Sequence, residues 1–141
     1  MTPPLYNTLI VDLAKHLDGL GIGQWRDNGI YATYSPPAIY WGIIPDEADY
    51  GIGINIYADS DLRDDHTRDL YVQIRARGNR HPATPGQILD RIYQALHDQS
   101  NYQLNNATNV LLSKRHLRTE EERDSNQRWT RADSWTFTLN P

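Results

Sequence analysis

From Leu70 to Arg77 the chain alternates without a break, with Leu70, Val72, Ile74 and Ala76 set against Tyr71, Gln73, Arg75 and Arg77. Successive side chains of a strand point to opposite faces, so this run reads as a strand with one face on a core and the other polar. The stretch from Tyr50 to Ala58 repeats the device, with Tyr50, Ile52, Ile54 and Ile56 on one side and Gly51, Gly53, Asn55 and Tyr57 on the other. Two glycines on one face weaken a strand unless something approaches the backbone there. Gly51 and Gly53 therefore mark a contact surface, a bulge or relief of crowding. The chain closes on a third such pattern, Trp135, Phe137 and Leu139 opposite Ser134, Thr136 and Thr138.

The remaining elements follow from composition and spacing. Short β-branched and aromatic runs at Gly29–Tyr34 and Ala38–Ile44, punctuated by Pro36-Pro37 and Pro45, read as two strands. The segment Ile39-Tyr40-Trp41-Gly42-Ile43-Ile44 is apolar on both faces, so it is covered either on both sides at home or by another subunit. Helices are expected after Thr2-Pro3-Pro4 and at Thr84-Pro85, where proline at the first helical position loses nothing by lacking an N–H. Leu5, Leu9, Leu13 and Leu17 with Ile10 stripe the first, which Gly19 and Gly21 stop. Ile88, Leu89, Ile92, Tyr93 and Leu96 stripe the second, which ends near Asp98. A polar loop over 59–66 joins two strands, and the end reads as a hairpin, Val110–Arg118, an acidic tip over 119–127, then Arg128–Leu139. The expectation is one α+β domain over residues 1–141, with one mostly antiparallel sheet, two helices on one of its faces, and the order α-β-β-β-β-α-β-β.

The chemistry is sparse. With 141 residues, no cysteine and a formal charge of −4, the chain has length enough for one core but no disulfide framework or thiolate metal site. Its acidity argues against a protein that coats nucleic acid, and no run approaches the roughly 20 apolar residues of a membrane span. The five histidines, His16, His66, His81, His97 and His116, never adopt a metal-ligand spacing. The acidic loop Asp59, Asp61, Asp64, Asp65 carries Arg63 at the third ligand position of an EF-hand-like spacing and lacks the turn glycine, so it reads as a solvated hairpin tip. No G-x-S-x-G elbow exists, and Gly19-Leu20-Gly21-Ile22-Gly23 follows a helix without a Walker lysine. Glu120, Glu121 and Glu122 are adjacent without being a positioned pair. Catalytic, cofactor and metal residues are therefore not assigned. Twelve of the fourteen cations are arginine, whose planar fork suits ion pairs across protein interfaces, and acidic segments of the same chain offer partners for it.

The succession Ile43-Ile44-Pro45-Asp46-Glu47, the strand Tyr71-Val72-Gln73-Ile74-Arg75-Ala76-Arg77-Gly78 before the second helix, and the ending Arg128-Trp129-Thr130-Arg131-Ala132-Asp133-Ser134-Trp135-Thr136-Phe137-Thr138-Leu139-Asn140 resemble the tail terminator or minor capsid proteins of long-tailed bacteriophages. The resemblance covers nearly the whole chain, with Trp135 where tyrosine is expected and a long charged tip over 120–124. It implies a non-enzymatic virion protein made in the host cytoplasm. Its copies would form a ring, usually of six, at the head-tail junction, ending the tail tube and leaving a channel for DNA. The partners implied are further copies of the chain, the tail tube protein, a head-completion or stopper protein, and DNA passing without sequence readout, with no membrane. Candidate subunit or tail-tube interface residues are Tyr40, Trp41, Arg75, Arg77, Trp129 and Arg131. Asp61, Asp64, Glu120, Glu121 and Glu122 are candidates for channel or neighbour contacts. The alternatives are a head-completion or stopper ring, a small nuclease using His116 with Glu120–Glu122, and a nucleic-acid-binding module stacking bases on Tyr71 or Trp129.

Overall fold

The computed structural model describes residues 5–33, 35–61, 67–78 and 81–139. The elements run α1 (Leu5–Gly19), β1 (Ala38–Trp41), β2 (Gly51–Asp61), β3 (Arg68–Arg77), α2 (Ala83–Leu96), β4 (Gln99–Leu104), β5 (Thr108–Arg118), β6 (Glu122–Arg123) and β7 (Trp129–Leu139). Among the described residues the strands form one sheet in the order β1-β2-β3-β7-β5-β4, with β6 paired to β7. Every pairing is antiparallel except β1 with β2. The architecture is the expected α+β layering, a mostly antiparallel sheet with both helices on one face.

The alternating runs lie as their pattern requires. Leu70, Val72, Ile74 and Ala76 of β3 are fully buried, as are Ile52 and Ile54 of β2 and Trp135 and Phe137 of β7. They meet Leu9, Leu13 and Leu17 of α1 and Leu89, Ile92 and Leu96 of α2 in one core. Each such valine, leucine, isoleucine or phenylalanine contributes about 1.5–3 kcal/mol on burial. α1 ends in a Schellman turn: Ile22 N–H donates to Leu17 O at 3.1 Å, Gly21 N–H donates to Asp18 O at 2.9 Å, and Gly21 takes φ +74°.

The element order departs from the expectation in two places. Residues 29–33 form no strand; Tyr31 leaves the loop to donate its hydroxyl to Ile39 O, and Tyr34 lies outside the described residues. Gln99–Leu104 forms a strand that no pattern announced, because its six residues are polar but for Tyr102 and Leu104 and it lies at the sheet margin. The expected cap at Thr2-Pro3-Pro4 and residues 62–66 of the polar loop, Asp64 and His66 included, also lie outside the described residues. The tip placed over 119–127 is shorter than expected. β6 continues the line of β5 beside β7, and the turn proper spans 124–127.

Of the two glycines of β2, Gly51 makes room for the Tyr40 ring and the Ile44 side chain, and Gly53 admits the backbone that follows β1. Gly42 N–H donates to Ile54 O at 2.7 Å, and a Cβ on Gly53 would lie 2.6 Å from Gly42 O and 3.2 Å from the Ile44 side chain. The bulge lies farther along β2, between Ile56 and Ala58. Gly53→Ala is expected to lower stability by about 1–3 kcal/mol through this overpacking, measured by urea denaturation. Gly19→Ala, at a position with nothing within 4 Å, should be neutral or stabilising by up to about 1 kcal/mol.

Candidate functional site

The three segments Ile43–Glu47, Tyr71–Gly78 and Arg128–Leu139 converge through two arginines. Arg77, on the outward face at the end of β3, donates from Nη1 to Pro45 O and Ala48 O, both at 2.9 Å. Arg128, just before β7, donates to the Asp46 carboxylate at 2.8 Å, to Ala48 O at 3.3 Å, to Asp49 at 3.3 Å and to Asp124 at 2.9 Å. Its side chain is buried, while those of Asp46 and Asp49 stay 82% and 78% exposed. The loop after β1 is thus stapled to the turn before β7. Burial opposes the charge of Arg128, but hydrogen bonds to Asp46 and Asp124 outweigh it and push the guanidinium above its ordinary value. Burial and the adjacent Arg128 charge pull Arg77 down.

Beside the staple, the helix-free face of the sheet carries an open cleft of about 630 Å³. Gly42–Ile44 form one wall and Glu122–Asp124 the other, over a floor that includes Asn55, Gln73 and Arg75. Half-buried Arg75 has no carboxylate partner among the described residues. Farther along the same face His116 bonds the Tyr57 hydroxyl at 3.2 Å and Thr136 at 2.9 Å, with the Tyr71 ring edge-on at 6.0 Å.

The structure separates the candidate residues into groups. Arg75 and Arg77 share the cleft, but Arg77 is committed to its own chain. Trp41 is exposed at the end of β1, and Tyr40 is half-buried edge-on to Tyr31 at 5.3 Å. Arg131 is corrected from an interface candidate to a buried internal residue. Its register partner is Ala76 on the helix face, where it holds Asp133 through two bonds of 3.2 and 3.0 Å and Asp90 of α2 at 3.3 Å. Trp129 is half-buried, with the Arg123 guanidinium 5.8 Å from its ring centre. Glu121 pairs with Arg118 at 3.0 Å, Glu122 lines the cleft from β6, Glu120 is exposed, and Asp61 is the last residue of β2. His116 is held by Tyr57 and Thr136, with no bond to a glutamate.

Pattern reading missed Arg128, Asp46 and Asp133. The first two lie outside regular strands, where alternation carries no information. Asp133 and Arg131 share the parity of Trp135, which was the available sign that both face the core. Asp133 is fully buried and also receives Arg115 at 3.2 Å, whose guanidinium lies 4.0 Å over the Tyr93 ring.

The staple has a pH dependence. Burial opposes the Asp124 charge, but bonds from the Arg128 backbone and side chain and from Asn126 N–H hold the carboxyl below its ordinary value. A depressed folded-state pKa gives stability that is complete above the unfolded value and is lost as pH falls through the folded one. Asp124→Asn is expected to cost about 1–2 kcal/mol at neutral pH, with the gap to wild type closing below about pH 4, read from thermal melts across pH.

No curated protein matches the chain. A family model described as bacteriophage tail terminator protein matches residues 16–141. The match takes in both the stapled loop and the cleft and leaves out only the first fifteen residues, so the chain belongs to the bacteriophage tail terminator family, structural proteins of the phage tail.

Proposed function

We propose that this chain forms a closed ring, of six copies by resemblance, at the head-tail junction, where it stops growth of the tail tube and leaves a passage for DNA. The observation that carries the reading is the one-sided sheet. Both helices cover one face, while Tyr57, Leu112 and Leu117 lie open on the other, and Trp41 and Ile43 project beside β1. The reading takes these exposed apolar side chains as surface that neighbouring copies cover. A heterologous contact between copies ends either in a ring or in a filament, and a cap needs the ring. Such a ring would present its tube-binding surface on one side only, so no further tube subunit adds beyond it. The formal charge of −4 suits a collar through which DNA passes without adhering.

The test is to polymerise the tail tube protein of the same phage with and without this chain and to measure tube lengths by negative-stain microscopy. Tubes of bounded length carrying a ring at one end are expected. Tubes of unchanged length, with none of the chain co-sedimenting, would overturn the reading.

A further inference from the structure

We propose that Asn28 is a self-modifying site, where the chain converts its own asparagine through a succinimide into aspartate and isoaspartate. The inference does not depend on the ring reading. Of the ten asparagines only Asn28 precedes a glycine. A side chain on the following residue crowds the approach of that residue's backbone nitrogen to the asparagine amide, and glycine has none.

The loop around Asn28 favours the same step. Residues 26–30 are all exposed and lie outside every helix and strand. Ile30 N–H donates to Asn28 Oδ1 at 2.9 Å, an Asx turn that folds the side chain forward along the Gly29 peptide. The same bond polarises the amide carbonyl, and it stabilises the negative oxygen that forms when the carbonyl carbon is attacked. One contact opposes the reaction, because Gly29 N–H donates to Arg26 O at 3.0 Å. It is a single bond in an exposed turn, so it opens locally without unfolding the domain. Asn55, by contrast, precedes β-branched Ile56 inside β2, where the strand ladder holds the backbone extended.

In the step itself Gly29 N loses its proton to solvent hydroxide and bonds to Asn28 Cγ, and the amide nitrogen leaves as ammonia. Water then opens the ring at one of its two carbonyls. Opening at Cγ leaves the main chain as it was and makes aspartate, while opening at the backbone carbonyl routes the chain through Cγ and makes isoaspartate. Either product adds one carboxylate, taking the formal charge from −4 to −5. Isoaspartate also adds a methylene to the main chain between Arg26 and Tyr31, a stretch that Arg26 N–H ties to the Tyr31 hydroxyl at 3.3 Å. Tyr31 donates in turn to Ile39 O, and Ile39 N–H donates to Gln24 O at 2.9 Å. The modification therefore falls in the loop that is tied to the outer edge of β1.

Incubating the purified full-length chain at neutral and at mildly alkaline pH tests the proposal, read by intact mass, isoelectric focusing and electron-transfer fragmentation. The expected result is a slow gain of one mass unit with a band one charge more acidic. The change should map to residue 28, include isoaspartate, run faster at the higher pH and be absent from Asn28→Gln, which should melt as wild type because the side chain is exposed. Ile30→Pro, which lacks the donor to Oδ1, should react more slowly, and an unchanged rate overturns the part assigned to Ile30. A wild-type chain that gains no mass while the peptide acetyl-Arg-Asp-Asn-Gly-Ile-Tyr-amide deamidates in the same buffer overturns the proposal. So does a gain that maps to another asparagine or persists in Asn28→Gln.

Discussion

The antiparallel pairing of β3 with β7 is the constraint from which the remaining structure follows. Its register sets Val72 beside Trp135 and Leu70 beside Phe137 on one face, and Gln73 beside Ser134 and Tyr71 beside Thr136 on the other. The alternation of the two strands therefore coincides across the centre of the sheet, and both helices are drawn to the same side. A slip of one residue would exchange the faces, burying Arg75 and exposing Ile74. Because the helices go to one side, the other side retains a cleft, an aromatic and histidine cluster, and apolar residues that none of the described residues covers.

Arginine holds this frame in two distinct ways. Beneath the helices, Arg131 and Arg115 converge on fully buried Asp133, so removing that carboxylate would leave Arg115 with no carboxylate and buried Arg131 with Asp90 alone. At the margin, Arg77 and Arg128 grip a loop through its carbonyls and carboxylates, converting an irregular segment into one of fixed shape. The loop held in this way is also the one that carries exposed Asp46, Glu47 and Asp49 beside Ile43. The staple thus links the interior to the surface proposed for contact between copies. A pre-shaped loop loses little conformational entropy when a partner docks on it.

The core was legible in the sequence because burial follows period. Leu9, Leu13 and Leu17, the β3 alternation and the Trp135–Leu139 ending all lie where spacing put them. The segment Ile39–Ile44 was read as apolar on both faces, and the structure explains it residue by residue. Ile39 joins the core and Ile44 is buried over Gly51 and Gly53 on the helix-free face, whereas Trp41 and Ile43 stay open. The close approach at Gly53 was one of the readings that glycine on the face of a strand left open, beside a bulge and relief of crowding. Less legible were features set by irregular backbone or by charge. β4 offers only Tyr102 and Leu104 as an alternating pair, too short to announce a strand, and the stretch 29–33 has strand-like composition but places its tyrosine against β1 instead. Arg131 was assigned outward on its residue type, although its parity with Trp135 pointed inward. Apart from Asp124, the partners of Arg128 lie some eighty residues away in sequence, a distance that periodicity does not span.

The account depends on the uncovered face and β1 margin being surfaces that the chain covers with copies of itself. Native mass spectrometry of the purified wild-type protein, over a range of concentrations, measures this most directly. A single closed stoichiometry, six by resemblance, with no open series of larger species, is the result the account predicts. A protein that remains monomeric at the highest concentration, with its melting temperature independent of concentration, would contradict it.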